Sequence, residues 1–230
     1  RAAGVLVSVG VPKQGPASEA ADIMAGVGAA ANDAGAKVLG GDLTDAPQLI
    51  VDVCAIGTAP RPVRRAGAAP GDGVWVTGRL GGVALALRQL QAGRRPGPDL
   101  LERFAHPEPR LAAGQWLASQ GAHAMIDVSD GLSSDAAHLA AASGVALEIA
   151  LERLPCWTGA SALVAAASGE EYELLVALPP AFGETQARAF AGLVNLPLTC
   201  IGSCAAGAGV RFTDRGTAAT PPSGYDHFAA

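Results

Sequence analysis

The residues Ala124–Asp135 read "AMIDVSDGLSSD". A short apolar run falls into three carboxylates, Asp127, Asp130 and Asp135, set around Ser129 and Gly131. The run predicts a strand that ends near Val128, and the residues from Leu132 to Ala142 predict a helix. A tight turn must lie between them. Ser129 or Asp130 is placed to cap the helix, Gly131 eases the turn, and carboxylates suit a helix N-terminus. Capping accounts for one acid but leaves Asp127, set among apolar residues at the strand end, unexplained. Asp127 and Asp130 on one side of a tight turn are the donors a hard cation such as Mg²⁺ takes. Asp135, one turn into the helix, is expected to face solvent.

Outward from this stretch the same alternation recurs. Ala17 to Ala36 predicts a helix, with Ile23, Met24, Val27 and Ala31 on one face and Gly35 at its end. "KVLGGD" predicts a short strand ending at Asp42. Gln48 to Gly57, "QLIVDVCAIG", is nearly continuous apolar and β-branched, the pattern of a buried strand. The Pro/Gly-rich stretch from Gly57 to Gly73 is a connector and the expected domain boundary. Beyond it, "VWVTG", "HAMIDV", "VALEIAL", "YELLVALP", "LTCIG" and "GVRFTD" predict strands. Helices are expected at "LGGVALALRQLQAG", Pro109–Gln120, Leu132–Ala142 and Pro180–Gly192. The class is therefore mixed, α/β or α+β.

Three further stretches carry candidate chemistry. "GGDLTD" (Gly40–Asp45) is an ordinary turn or a place where backbone approaches a ligand closely. "VTGRLGG" (Val76–Gly82) offers backbone N–H groups at a helix start, suited to a phosphate, but lacks the Gly-Lys-Ser/Thr of a P-loop. In "SGEEYELLVALPP" (Ser168–Pro180), Glu170 is placed for a ligand, while Glu171 and Glu173 are expected at a solvated strand edge. The aromatic pair in "GYDHF" (Gly224–Phe228) either stacks on a planar ring or pins the terminus.

At 230 residues the chain can hold one large or two small domains. A net charge of −5 without Lys/Arg clusters argues against nucleic acid as a partner. No apolar run is long enough to span a bilayer, so no membrane role is expected. Cys54, Cys156, Cys200 and Cys204 form no zinc set with histidines and read as reduced thiols of a cytoplasmic protein.

Taken in order, "GGDLT", "RRAGAAPGDGVWVTGRLGG", "HPEPRL", "AMIDVSDGLSSDAAHLAAASGVALEI", "GEEYELL", "CIG" and "GYDHF" resemble thiamine-monophosphate kinase. That family shares its ATP-binding superfamily with aminoimidazole ribonucleotide synthetase and selenophosphate synthetase. The resemblance implies ATP- and Mg²⁺-dependent phosphorylation of thiamine monophosphate to thiamine diphosphate by direct phosphoryl transfer. It implies two domains. Residues 1–57 are the remainder of an N-terminal ATP-binding domain, and residues 58–230 are a C-terminal domain whose sheet carries helices on one face. By resemblance, Asp42, Asp127 and Asp130 are Mg²⁺ ligands and the catalytic set. Gly41, Arg65 and Ser129 contact ATP. Glu170 and Tyr225 contact the substrate, Tyr225 by stacking on a thiamine ring. A homodimer through the N-terminal domain is implied as well.

The chain departs from the family pattern at several points. Leu43 stands where the family has Thr in GGDTT, and Gly82 where it has Asp. Ser168 and Glu171 alter the GGED that precedes Tyr. The family's first quarter, with a Gly-Asp-Asp loop, has no counterpart in these residues. These departures keep two other readings open: a relative that binds nucleotide or thiamine phosphates without turnover, and another enzyme of the superfamily.

Overall fold

The computed structural model describes residues 1–13, 17–220 and 224–225. Its contacts divide the chain into two units, Arg1–Pro62 and Val63–Ala230. No helix among the described residues is long and apolar enough to cross a membrane.

In the first unit, strand β1 (Ala2–Val11) leads through helix α1 (Ala17–Asp33) to β2 (Val38–Asp45), which pairs parallel to β1. A helix is the usual connection between neighbouring parallel strands. β3 (Ile50–Gly57) lies antiparallel on the other side of β1, giving the order β2-β1-β3. Val7 and Val9 of β1 are buried, and the predicted face of α1 is half-buried at Ile23, Met24 and Val27 and buried at Ala31. The apolar run in β3 is not buried as expected. Every residue of β2 and β3 is exposed, including Leu39, Leu43, Val51 and Val53. An apolar run records that a strand suits a covered face, but it does not say that the same chain supplies the cover.

The second unit is built on a seven-stranded sheet in the order β10-β9-β6-β8-β4-β7-β5. Its strands are β4 (Gly73–Thr77), β5 (Ala124–Asp127), β6 (Ala146–Ala150), β7 (Leu174–Leu178), β8 (Leu198–Ala205), β9 (Gly209–Asp214) and β10 (Thr217–Ala219). The helices are α2 (Gly82–Gln91), α3 (Pro98–Ala105), α4 (Leu111–Ser119), α5 (Leu132–Ser143), α6 (Ala162–Ala167) and α7 (Glu184–Val194). β6 and β9 pair in parallel, and the other neighbours run antiparallel. The mixed class is as expected, but helices cover both faces rather than one. Successive strand side chains point to opposite faces. Val74, Val76, Leu175 and Ala177 pack with Leu132, Leu139 and Ala165 of α5 and α6. The intervening Trp75, Val176 and Leu178 pack with Leu117 and Phe190 of α4 and α7. α3, α6 and β10 were not anticipated, being only eight, six and three residues long.

The order β4-β7-β5 positions the candidate site. β7 is antiparallel to both neighbours, so Asp127 at the end of β5 lies opposite Leu174 and Val76 near the end of β4 lies opposite Leu175. Three connections therefore meet at one end of these strands: Gly78–Gly81 leading into α2, Val128–Gly131 leading into α5, and Ser168–Glu173 leading into β7.

Candidate functional site

Asp127 is exposed at the last position of β5, and Ser129 and Asp130 in the turn are half-buried. Neither side chain caps α5. The N-cap is Gly131, with φ 110° and no side-chain cap bond. A Cβ there would lie 2.9 Å from the Ala167 carbonyl oxygen. The turn is held instead by Asp135, which is buried at 2% exposure rather than solvated. Its Oδ2 accepts from the backbone N–H of Ser129 at 3.0 Å and of Asp130 at 3.1 Å. Burial raises the Asp135 pKa to about 6; the two amide hydrogen bonds oppose that rise, and the charges of Asp130 and Asp127 add to it. The helix thus reaches back one turn to fix the loop that displays Asp127 and Asp130.

The Ser168–Glu173 segment uses the same device over a longer range. Glu171 and Glu173 are 0% and 1% exposed, which corrects the expectation of solvated strand-edge acids. They continue the inward face of Leu175 and Ala177. Glu171 Oε1 accepts from Gly81 N at 2.8 Å, Val83 N at 3.2 Å and Ser168 Oγ at 2.6 Å. The N-terminus of α2 is therefore filled by a protein carboxylate, and "VTGRLGG" is not a phosphate cradle. Burial raises the Glu171 pKa, opposed by Ser168, the Arg103 charge and the two amides. Glu173 accepts from Thr77 Oγ1 at 2.6 Å and from Arg110 through Nε at 3.0 Å and Nη2 at 2.7 Å. Arg103 lies 3.1 Å from Glu173 and also donates to the Glu171 carbonyl oxygen. These buried pairs are paired and hydrogen-bonded, as buried charges must be.

Glu170 and Tyr172 flank Glu171. Both have left-handed backbone, with φ 60° and 47°. Glu170 N donates to the Ser129 carbonyl at 2.7 Å, Tyr172 N to that of Val128 at 2.8 Å, and Tyr172 OH to Glu170 Oε2 at 3.1 Å. Tyr225 N donates to the Asp130 carbonyl at 2.9 Å. Asp226, His227 and Phe228 lie outside the described residues.

Two cavities result. One, of about 580 Å³, is lined by Arg65, Asp127, Ser129, Asp130, Asp135 and His138. The other, of about 540 Å³, has a more apolar wall that includes Val83, Leu87 and Phe104, with Glu170 and Tyr225 beside it. Ser129 and Asp130 line both. Of the expected residues, Arg65, Asp127, Ser129, Asp130, Glu170 and Tyr225 thus border one connected region of the second unit. Among the described residues no three His, Cys, Asp or Glu side chains converge as a closed metal cluster. Two carboxylates on one cavity still suit Mg²⁺, which commonly takes one or two carboxylates and completes its shell with phosphate and water.

In the first unit, Gly41 and Asp42 line a mainly apolar cavity between α1 and the sheet. Gly41 has a packing reason as well, since a Cβ there would collide with the Val7 backbone. Leu43 is exposed. In the second unit, a Cβ at Gly82 would lie 2.8 Å from Trp157 Nε1, so the indole occupies the space beside that position.

Residues 69–215 match the model of the AIR synthase related protein C-terminal domain, and residues 1–59 match that of its N-terminal domain. A crystal structure of thiamine-monophosphate kinase from Stenotrophomonas maltophilia K279a is 32% identical and superposes with a TM-score of 0.82. That match covers 95% of this chain and 73% of the other. The chain belongs to the thiamine-monophosphate kinase family. Another solved member, AaThiL complexed with AMPPCP and TMP, is 29% identical with a TM-score of 0.85, over 99% of this chain and 74% of that one. The thiamine-monophosphate kinase of Pyrococcus horikoshii is 33% identical over 209 residues, 88% of this chain and 65% of the relative. The chain thus spans a little under two thirds of that curated relative's length. Hydrogenase maturation protein HypE, at 18% identity and TM-score 0.75, shares the fold.

The residues that sequence reading missed are Ser168, Glu171, Glu173, Arg103 and Arg110. One signal was present: Glu171 and Glu173 keep the two-residue period of Leu175 and Ala177.

Proposed function

We propose that this protein phosphorylates thiamine monophosphate to thiamine diphosphate with ATP and Mg²⁺. The observation that carries the reading is the pair of cavities meeting at Ser129 and Asp130, one polar and acidic with an arginine, the other apolar with a carboxylate and a tyrosine. The AaThiL relative complexed with AMPPCP and TMP supports it. The nucleotide is assigned to the first cavity, with Arg65 and Ser129 at its phosphates. The thiamine moiety is assigned to the second, between the α2 wall and Tyr225, with Glu170 near its cationic ring.

In this reading a phosphate oxygen of thiamine monophosphate attacks the γ-phosphorus of ATP. A new P–O–P bond forms, the bond to the β-phosphate oxygen breaks, and ADP leaves. Both reactants are anionic, so the chain must hold them in line and offset their repulsion. Asp127 and Asp130 would hold Mg²⁺, which when bound supplies positive charge against the phosphates. Asp42 is assigned the same kind of role from its place in "GGD", and Gly41 a nucleotide contact. Residues 1–57 are read as part of an N-terminal ATP-binding domain and 58–230 as a C-terminal domain. The exposed apolar strands β2 and β3 support a homodimer through the first unit. The four free thiols fit a cytoplasmic location.

The test is ADP release from ATP and Mg²⁺, with and without thiamine monophosphate, from this chain and from one begun at the gene's first codon. Turnover that depends on thiamine monophosphate in either supports the reading. Tight binding without turnover in both replaces the kinase with a binding protein.

A further inference from the structure

The apolar cavity has two walls, and a buried pair of side chains joins them. Val83, Ala84 and Leu87 of α2 form one wall, and Ser168, Gly169 and Glu170 belong to the other. Glu171 Oε1 bonds the backbone of Gly81 and Val83, and Ser168 Oγ donates to the same oxygen while accepting from Ala84 N at 3.2 Å. Three amides at the start of α2 therefore converge on one carboxylate and one hydroxyl carried by the opposite wall. Glu170, the neighbour of Glu171, is held in left-handed backbone. Such a conformation persists where its surroundings over-determine it.

We propose that Ser168 and Glu171 are positioning residues that set the spacing of the two walls and the direction of Glu170. In this way they govern affinity for the phosphoryl acceptor but not for the nucleotide. The inference rests on the function proposed above. Neither side chain is asked to touch a reacting atom. Their effect passes through α2 and through the backbone of Glu170. The nucleotide side has a tie of its own in Asp135, whose oxygen bonds Ser129 and Asp130 and no part of α2; it meets the segment through the backbone bonds from Glu170 and Tyr172 to the Ser129 and Val128 carbonyls.

The experiment is calorimetric titration of the wild type, Glu171→Gln and Ser168→Ala, with thiamine monophosphate and separately with AMPPCP. Loss of a charged acceptor at the α2 amides should weaken thiamine monophosphate about tenfold in Glu171→Gln, with AMPPCP within about twofold. Ser168→Ala removes one hydroxyl, should fold normally, and should weaken thiamine monophosphate about threefold. In turnover the loss should fall on KM for the acceptor rather than on kcat. The double variant should lose little more than Glu171→Gln, because the bonds are shared. Equal weakening of both ligands, or of neither, overturns the proposal. A wild type that ignores thiamine monophosphate overturns the function and this inference with it. A wild type that binds it, beside variants that bind as well, overturns the inference alone.

Discussion

The β5–α5 junction, Asp127–Asp135, and the Ser168–Glu173 segment face each other at one end of β7, and each hides carboxylates as well as displaying them. At the junction, Asp135 is hidden and Asp127 and Asp130 are displayed. In the segment, Glu171 and Glu173 are hidden and Glu170 is displayed. Asp135 and Glu171 each accept two backbone N–H groups through one oxygen. They differ in reach and in counter-charge. Asp135 bonds residues five and six positions away and takes added repulsion from Asp127 and Asp130. Glu171 bonds residues about ninety positions away and sits beside Arg103. A local device of this kind shapes one loop. A distant one fastens two parts of the chain, and it needs a cation to do so in the interior.

The largest effect should follow from changing what the turn displays. Asp127→Asn should lower kcat by about 100-fold or more, the scale for losing one group that stabilises transferring charge, with an unchanged melting curve. An active Asp127→Asn protein would remove Asp127 from the metal role. Next comes the cation that serves the segment. Arg110→Ala leaves Glu173 buried with its bidentate partner gone, and should cost about 3 kcal/mol in denaturant unfolding. A cost under about 1 kcal/mol would place this network with surface ion pairs. Smaller again is the local device. Asp135→Ala leaves two amides without their acceptor and should cost about 2 kcal/mol, whereas Asp135→Asn keeps an acceptor oxygen and should cost clearly less. Equal losses would show that charge, not acceptance, holds the turn.

The smallest effect is a pH dependence of the segment. Glu171 has a folded pKa above its ordinary value, so the fold binds its proton more readily than the unfolded chain does. The stability it contributes is full below its unfolded pKa and declines as pH rises through the folded one. The stability gap between wild type and Glu171→Gln should therefore narrow as pH rises above about 4.3. Unfolding curves at a series of pH values measure it, and a widening gap would mean that Arg103 and the amides outweigh burial.

Asp127, Ser129 and Asp130 were legible because an apolar run that stops at a carboxylate and a glycine states its own turn. Glu170 was legible by its neighbours in "SGEEYEL". Glu171 was not, because its partners Gly81, Val83 and Arg103 lie 68 to 90 residues away. A glutamate before a strand looks the same in sequence whether water or a helix end receives it. β3 was misjudged for a related reason: its apolar pattern is local, while its cover depends on what else packs there. α3 is amphipathic but only eight residues long, and it begins with Pro98 after Gly97, so in sequence it reads as part of the loop before it.

The bond from Gly81 to Glu171 also has a consequence in time. β7 sits between β4 and β5, joining Val74 to Ala177 and Asp127 to Leu174. Contacts so distant along the chain form slowly, since a long loop must close before they are rewarded. During synthesis, α2 emerges with its first amides open, and the carboxylate that completes it follows some ninety residues later. At roughly 5–20 residues per second that is a wait of about 5 to 18 seconds. Through that interval the nascent chain has the α2 wall of the apolar cavity without the wall that carries Glu170.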